Sequence, residues 1–242
     1  MSALKEPIVR PRRFYKSVDV APHEGGHAVR LDARQARTPG GAPLVLPTGP
    51  LARLIADEWA AQGEFIVMPD MPATRLAFTA IDRVFTAREA TADEAARYAG
   101  SDLLCYFADA PRALLERQTA AWEPILAWAE AELGMSFNRA AGVIHTPQPP
   151  GTLARARELA AGLDDFGLAG LAFAAPLFGS FVLAAAVRNG RLTGQQAFDI
   201  SHLDETFQEK AWGVDAEAAA RAERLRAEAV MAECWFRALS QD

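Results

Sequence analysis

From Leu168 to Val187 the chain carries no charged side chain, and this run limits the possible folds more than any other feature. It is about as long as a membrane-spanning helix. Its composition argues otherwise: alanine is its commonest residue, with Gly170, Pro176, Gly179 and Ser180 interspersed. Alanine and glycine contribute little to insertion, and Pro176 interrupts a helical pattern near its middle. The expectation is a pair of helices buried in a protein core, with no stable membrane insertion. The 242 residues suffice for one large domain or two modest ones, each with a core.

The chain is acidic, with a net charge of −6 and a pI near 5.3. Phosphate backbones and anionic lipid repel such a chain, so no nucleic-acid partner is expected. Charged residues make up 23%, an ordinary globular share rather than that of a disordered chain. Cys105 and Cys234 each lie in an apolar helical pattern and read as buried, reduced thiols.

Strand signals are confined to residues 14–47. Phe14–Val20 is a short run of aromatic and β-branched residues, and Glu24-Gly25-Gly26 supplies a tight turn. His27–Leu31 follows, then Gln35–Thr38 and Leu44–Leu46, the last bracketed by prolines. Thr48 or Gly49 caps a helix that presents Leu51, Leu54, Ile55 and Trp59 on one face and stops at Gly63. Phe65–Val67 reads as a short strand, and a helix starts at Thr74.

Beyond residue 86 the pattern is helical. It covers residues 87–108, then a helix opened by Pro111, with a kink or break expected at Pro124 and an end at Gly134. Residues 152–163 and the uncharged pair follow, and Thr193 with Gln196 forms a capping box. The last helix begins near Asp215, with a seam of Ala218, Ala222, Leu225, Ala229, Ala232 and Phe236. The expected fold class is α+β: an N-terminal β-rich α+β domain (residues 1–86) followed by an all-helical C-terminal domain (residues 87–242).

The search for chemistry returns little. His23, His27, His145 and His202 have no second ligand at metal spacing, and neither a phosphate loop nor a nucleophile elbow is present. No catalytic centre, metal or cofactor is expected. Arg75, Asp82 and Arg83 read as an exposed ion-paired face. The most polar cluster on an apolar background is 204–213. At helical spacing Glu205, Gln208, Glu209 and Trp212 share a face, while Leu203, Phe207 and Lys210 point elsewhere. Read from the residues alone, that face is either solvated or a contact surface.

Several stretches resemble the Atp-twelve family, assembly chaperones for the alpha subunit of F-type ATP synthase. They run in order from Arg13-Phe14-Tyr15-Lys16 through Leu31-Asp32-Ala33-Arg34 and Arg37-Thr38-Pro39 to Leu46-Pro47-Thr48. Glu58-Trp59-Ala60-Ala61-Gln62-Gly63 follows, then Met71-Pro72-Ala73-Thr74-Arg75-Leu76 and Thr79-Ala80-Ile81-Asp82. Ser101-Asp102-Leu103-Leu104-Cys105-Tyr106, Trp122-Glu123-Pro124, Leu203-Asp204-Glu205 with Gln208, and Trp212-Gly213 complete the series. Ala33 stands where the family pattern has glycine, Ala73 where it has leucine, and Lys210-Ala211 departs from the usual pair.

The resemblance implies a non-enzymatic chaperone without a cofactor. Such a protein would cover the apolar surface of a free alpha subunit, prevent its self-association and yield to beta subunits during assembly. It also implies that Glu205 is the important glutamate, with Asp204, Gln208 and Trp212 beside it at the client contact. The expected form is a monomer in a bacterial cytoplasm, eukaryotic relatives working in the mitochondrial matrix. The alternatives are a stable accessory subunit of the complex and a protein that binds an unknown small molecule.

Overall fold

The computed structural model describes residues 10–142, 144–213 and 215–241, apart from the side chains of Ala211 and Trp212. Strands β1 (Val18–His23) and β2 (Gly26–Leu31) form an antiparallel hairpin in which Val20 faces Val29. Two-residue strands β3 (Arg34–Gln35) and β4 (Val45–Leu46) both pair with β2. Val29 and Leu31 point into the core, as the alternation predicts.

The first strand begins at Val18 rather than Phe14. Its partner ends at Leu31, where Asp32 and Ala33 turn the chain through left-handed backbone with φ of 49° and 63°. The preceding residues are fixed by side chains instead. The Asp32 carboxylate accepts the amides of Lys16 and Ser17, and buried Tyr15 donates its hydroxyl to the Trp59 carbonyl at 2.7 Å. Phe65 makes a single antiparallel bridge to Arg12 rather than a strand.

Helix α1 (Gly49–Ala60) is capped by Thr48 and buries Leu51, Ile55 and Trp59 against the hairpin. Helix α2 (Pro72–Asp82) begins two residues before the expected Thr74. The Glu58 carboxylate reaches across from α1 and accepts the amides of Ala73 and Thr74 at 2.8 and 2.7 Å, so it caps α2 from outside.

Helix α3 (Arg88–Ala96) is shorter than the expected 87–108. It passes into 3₁₀ turns at Arg97–Ser101 and Leu103–Cys105, and then into β5 (Tyr106–Phe107). Asp102, between the turns, has no exposed surface. One of its carboxylate oxygens accepts the Leu104 amide and the other the Val182 amide.

Helix α4 (Arg112–Leu133) runs through Pro124 without a break, ending at left-handed Gly134. The expected break is absent because Trp122, Ile125 and Leu126 on either side of the proline are all buried, and that packing outweighs one missing hydrogen bond. Strand β6 (Ala140–Ala141) pairs in parallel with β5. Helix α5 (Pro150–Ala161) leads to the uncharged pair α6 (Asp165–Phe178) and α7 (Phe181–Arg188). Gly179, at φ 61°, turns the chain between them, and Phe178 and Phe181 are buried. Among the described residues no helix is long and apolar enough to cross a membrane.

Helix α8 (Gly194–Ser201) carries the expected capping box, and α9 (Leu203–Trp212) and α10 (Ala216–Leu239) complete the chain. The lower half of α10 threads the core. Trp235 is fully buried, and its indole donates to the Phe166 carbonyl. A side chain at Gly194 would place its Cβ 2.0 Å from the Ala229 carbonyl, so only glycine lets α8 approach α10 this closely. Thr48 donates to the Ala238 carbonyl at 2.6 Å, and one apolar core runs from Tyr15 to Ala238.

Candidate functional site

Helix α9 is anchored to α4. Asp204 accepts a 2.7 Å hydrogen bond from Nε2 of Gln118 on α4, and the fully buried Gln118 accepts the Ala108 amide through its own oxygen. One helical turn on, the Arg117 guanidinium lies 5.1 Å from the centre of the half-buried Phe207 ring. Asp204 and Phe207 therefore seat the helix. Asp204 and Glu205 in its first turn also suit the positive end of the helix dipole.

Glu205 and Gln208 are exposed. Among the described residues neither makes a side-chain hydrogen bond or ion pair. Trp212 ends the helix, and its side chain lies outside the described residues. The structure thus sets Glu205 and Gln208 on the outward face and turns Asp204 inward as an anchor.

Glu205 also lines a groove of about 460 Å³ between α9 and the first half of α10. Glu209 stands beside it, one turn along. The floor is Phe198 from α8 with Ala218, Ala222 and Leu225 from α10, and the far flank carries Arg221 and Arg224 together with Asp215 and Glu217. His202 stacks on the Phe198 ring with centroids 4.0 Å apart, and the Arg226 guanidinium lies 4.9 Å from the centre of the same ring. The α10 flank escaped the sequence reading. The spacing marks Ala218 to Phe236 as one seam, and in the structure Ala218 is exposed and Ala222 and Leu225 are only half-buried. The arginines and glutamates interleaved through 217–226 were the available signal of a solvated first half.

A second hollow, of about 430 Å³, lies where the hairpin turn meets α2 and α6. Pro43, Val45, Ile81, Phe85 and Phe166 line it, and Phe85 is 71% exposed. The carboxylates displaced from ordinary acidity lie elsewhere. Burial pushes Asp102 up to about 6 against the pull of its hydrogen bonds, and burial likewise raises Glu58 despite three donors. Both are occupied as helix caps. Burial also raises the Cys105 thiol, which keeps it protonated and unreactive, while Cys234 is half-buried rather than enclosed. Asp82 is no surface partner of Arg75 or Arg83. It accepts the Thr38 hydroxyl at 2.6 Å and the Gly40 amide at 2.9 Å. Among the described residues no three His, Cys, Asp or Glu side chains group to hold a metal ion.

With this geometry in hand, comparison with known proteins is decisive. The family ATP12 chaperone protein matches residues 12–130. The crystal structure of Atp12 from Paracoccus denitrificans superposes with a TM-score of 0.88 at 43% identity, covering 94% of this chain and 97% of that one. The chain belongs to the ATP12 chaperone family. A point mutant of the Paracoccus Atp12p gives the same figures. A proposed chaperone from Agrobacterium tumefaciens matches with a TM-score of 0.88 at 39% identity, over 95% of this chain and 87% of that one. The match to the ATP12 family description ends inside α4, before the α9 face, whereas the structural likeness extends over nearly the whole chain.

Proposed function

We propose that the client of this ATP synthase assembly chaperone is the free alpha subunit of the F-type enzyme, and that the outward face of α9 contacts it. Family membership supports the chaperone role. The observation that carries the site is that Glu205 and Gln208 are exposed on a helix anchored by Asp204, and that among the described residues neither makes a side-chain hydrogen bond or ion pair. A surface of this kind can accept and donate hydrogen bonds without losing any that hold the fold. Glu205 stands in for an interface contact that beta later supplies, Gln208 and Trp212 flank it, and beta displaces the chaperone when it arrives. The protein acts as a monomer in the cytoplasm.

Co-purification with separately expressed alpha and beta subunits of the same organism tests this. Binding to free alpha is expected, lost when beta is added and weakened at least about tenfold by Glu205→Lys, since a reversed charge at a close interface pair costs several kcal/mol. A folded pair that does not associate would remove the client assignment. Retention at fixed stoichiometry after beta has bound would make the protein an accessory subunit instead.

A further inference from the structure

We propose that the groove between α9 and the first half of α10 seats an amphipathic helix of the client. Its basic flank lies against Glu205 and Glu209, and its acidic flank against Arg221 and Arg224. This rests on the reading of α9 as the client-binding face and adds a second wall to it.

Three observations carry the proposal. The first is the seam on α10. Ala229, Ala232 and Phe236 are buried by neighbouring helices, yet the same stripe continues through Leu225, Ala222 and Ala218 into open solvent. A helix stripe with this spacing packs against another helix, and the lower half does so. Among the described residues the upper half has the spacing without a covering element.

The second is charge. Glu205 and Glu209 line one side, while the α10 side carries Arg221, Arg224 and Arg226 alongside Asp215 and Glu217; among the described residues Glu205, Glu209, Arg221 and Arg224 have no side-chain hydrogen bond or ion pair. Across the apolar floor the α9 flank is acidic, and on the α10 flank arginines outnumber the acids by three to two. That arrangement complements a helix with arginine or lysine along one edge, aspartate or glutamate along the other and small aliphatic residues between. It suits neither a nucleic acid, whose phosphates the acidic flank repels, nor an extended strand, since helical walls offer no free backbone edge to pair with.

The third is preorganisation. The first turns of α10 are exposed all round, yet the segment is helical, capped by Asp215 through the Ala218 amide at 3.0 Å and rich in alanine at 216, 218, 219, 220 and 222. Alanine has the highest helix propensity, so this wall forms ahead of its partner and less order is lost on binding.

The test uses the full-length chaperone and the purified alpha subunit. Affinity is measured for wild type, for Glu205→Lys and for the double variant Arg221→Glu with Arg224→Glu, alongside amide exchange of the wild-type complex. Among the described residues these side chains have no hydrogen-bond or ion-pair partners, and matched melting curves verify that the variants fold. The expected result is at least about tenfold weaker binding for both variants, with alpha-dependent protection of amides in both 203–210 and 216–225. Loss of binding with Glu205→Lys alone, and protection confined to α9, would overturn the groove while leaving the α9 reading intact. No effect from either variant would overturn both. If the double variant leaves alpha binding unchanged but turns a dimer into a monomer by sedimentation, a second copy of this chain fills the groove and the proposal is wrong.

Discussion

The corner between α1 and α2 and the arm formed by α9 and α10 each carry a glutamate with a glutamine close by in sequence, and they use them in opposite directions. At the corner Glu58 accepts two backbone amides and the Thr74 hydroxyl. Gln62 accepts the Val67 amide and donates to the Glu58 carbonyl, while Trp59 is buried against Tyr15. On the arm Glu205 and Gln208 are exposed and bond to nothing within the described residues. The same residue types can thus make a polar clasp inside a fold or an outward surface that waits for another molecule. What separates the two cases is whether orphan backbone amides lie within reach.

The comparison can be broken most forcefully at Asp102, another interior clasp. Its carboxyl is raised to about 6 in the folded chain, above its ordinary value of 3.8. The folded state therefore holds the proton more tightly than the unfolded one. The resulting stability is full below about pH 4 and is lost as pH rises through 6, a change on the order of 3 kcal/mol. The advantage of wild type over Asp102→Asn in urea unfolding is expected to shrink by that amount between pH 4 and pH 7. An advantage that does not vary with pH would mean that the group is not buried as charge.

Glu58→Ala comes next. It leaves the two N-terminal amides of α2 without an acceptor and is expected to lower stability by about 2 kcal/mol. A loss below about 0.5 kcal/mol would remove the distinction between corner and arm.

Ala33→Gly should act in the other direction. Alanine occupies left-handed backbone there, so glycine is expected to stabilise the protein by about 1 kcal/mol, read as a higher melting temperature. This is the position where the family pattern has glycine.

The smallest effect on stability belongs to the arm. Gln208→Ala is expected to move unfolding by less than about 0.5 kcal/mol and Glu205→Lys, which reverses a charge at the start of α9, by no more than about 1 kcal/mol, while both change client binding. A large destabilisation by either would show that the outward face supports the fold after all.

Much of this was legible in the chain because helix ends are local chemistry. Thr48 and Thr193 cap the helices they were expected to cap, and Gly134 stops α4. The uncharged run is the buried pair α6 and α7, because charge-free alanine-rich sequence has no better place than a core. The polar motif residues were visible as a pattern but not as clasps. Glu58 and Thr74 are sixteen positions apart, and Asp102 and Val182 are eighty apart. The candidate site was half-legible: helical spacing put Glu205 and Gln208 on one face, but assigned Asp204 no anchor, and the wall supplied by α10 was hidden inside an apparently continuous seam.

Residue order, read locally, settled the caps, the turns, the helical periods and the demand that residues 168–187 be buried. Helix α4 passes intact through Pro124, the 87–108 segment breaks at Asp102, and the stripe on α10 is covered from Ala229 onward and open before it. These three outcomes depend on which distant surfaces arrive alongside. Hydrogen bonds and packing between remote segments outweigh local preferences of about a kcal/mol per residue, and only the assembled core decides where they are available.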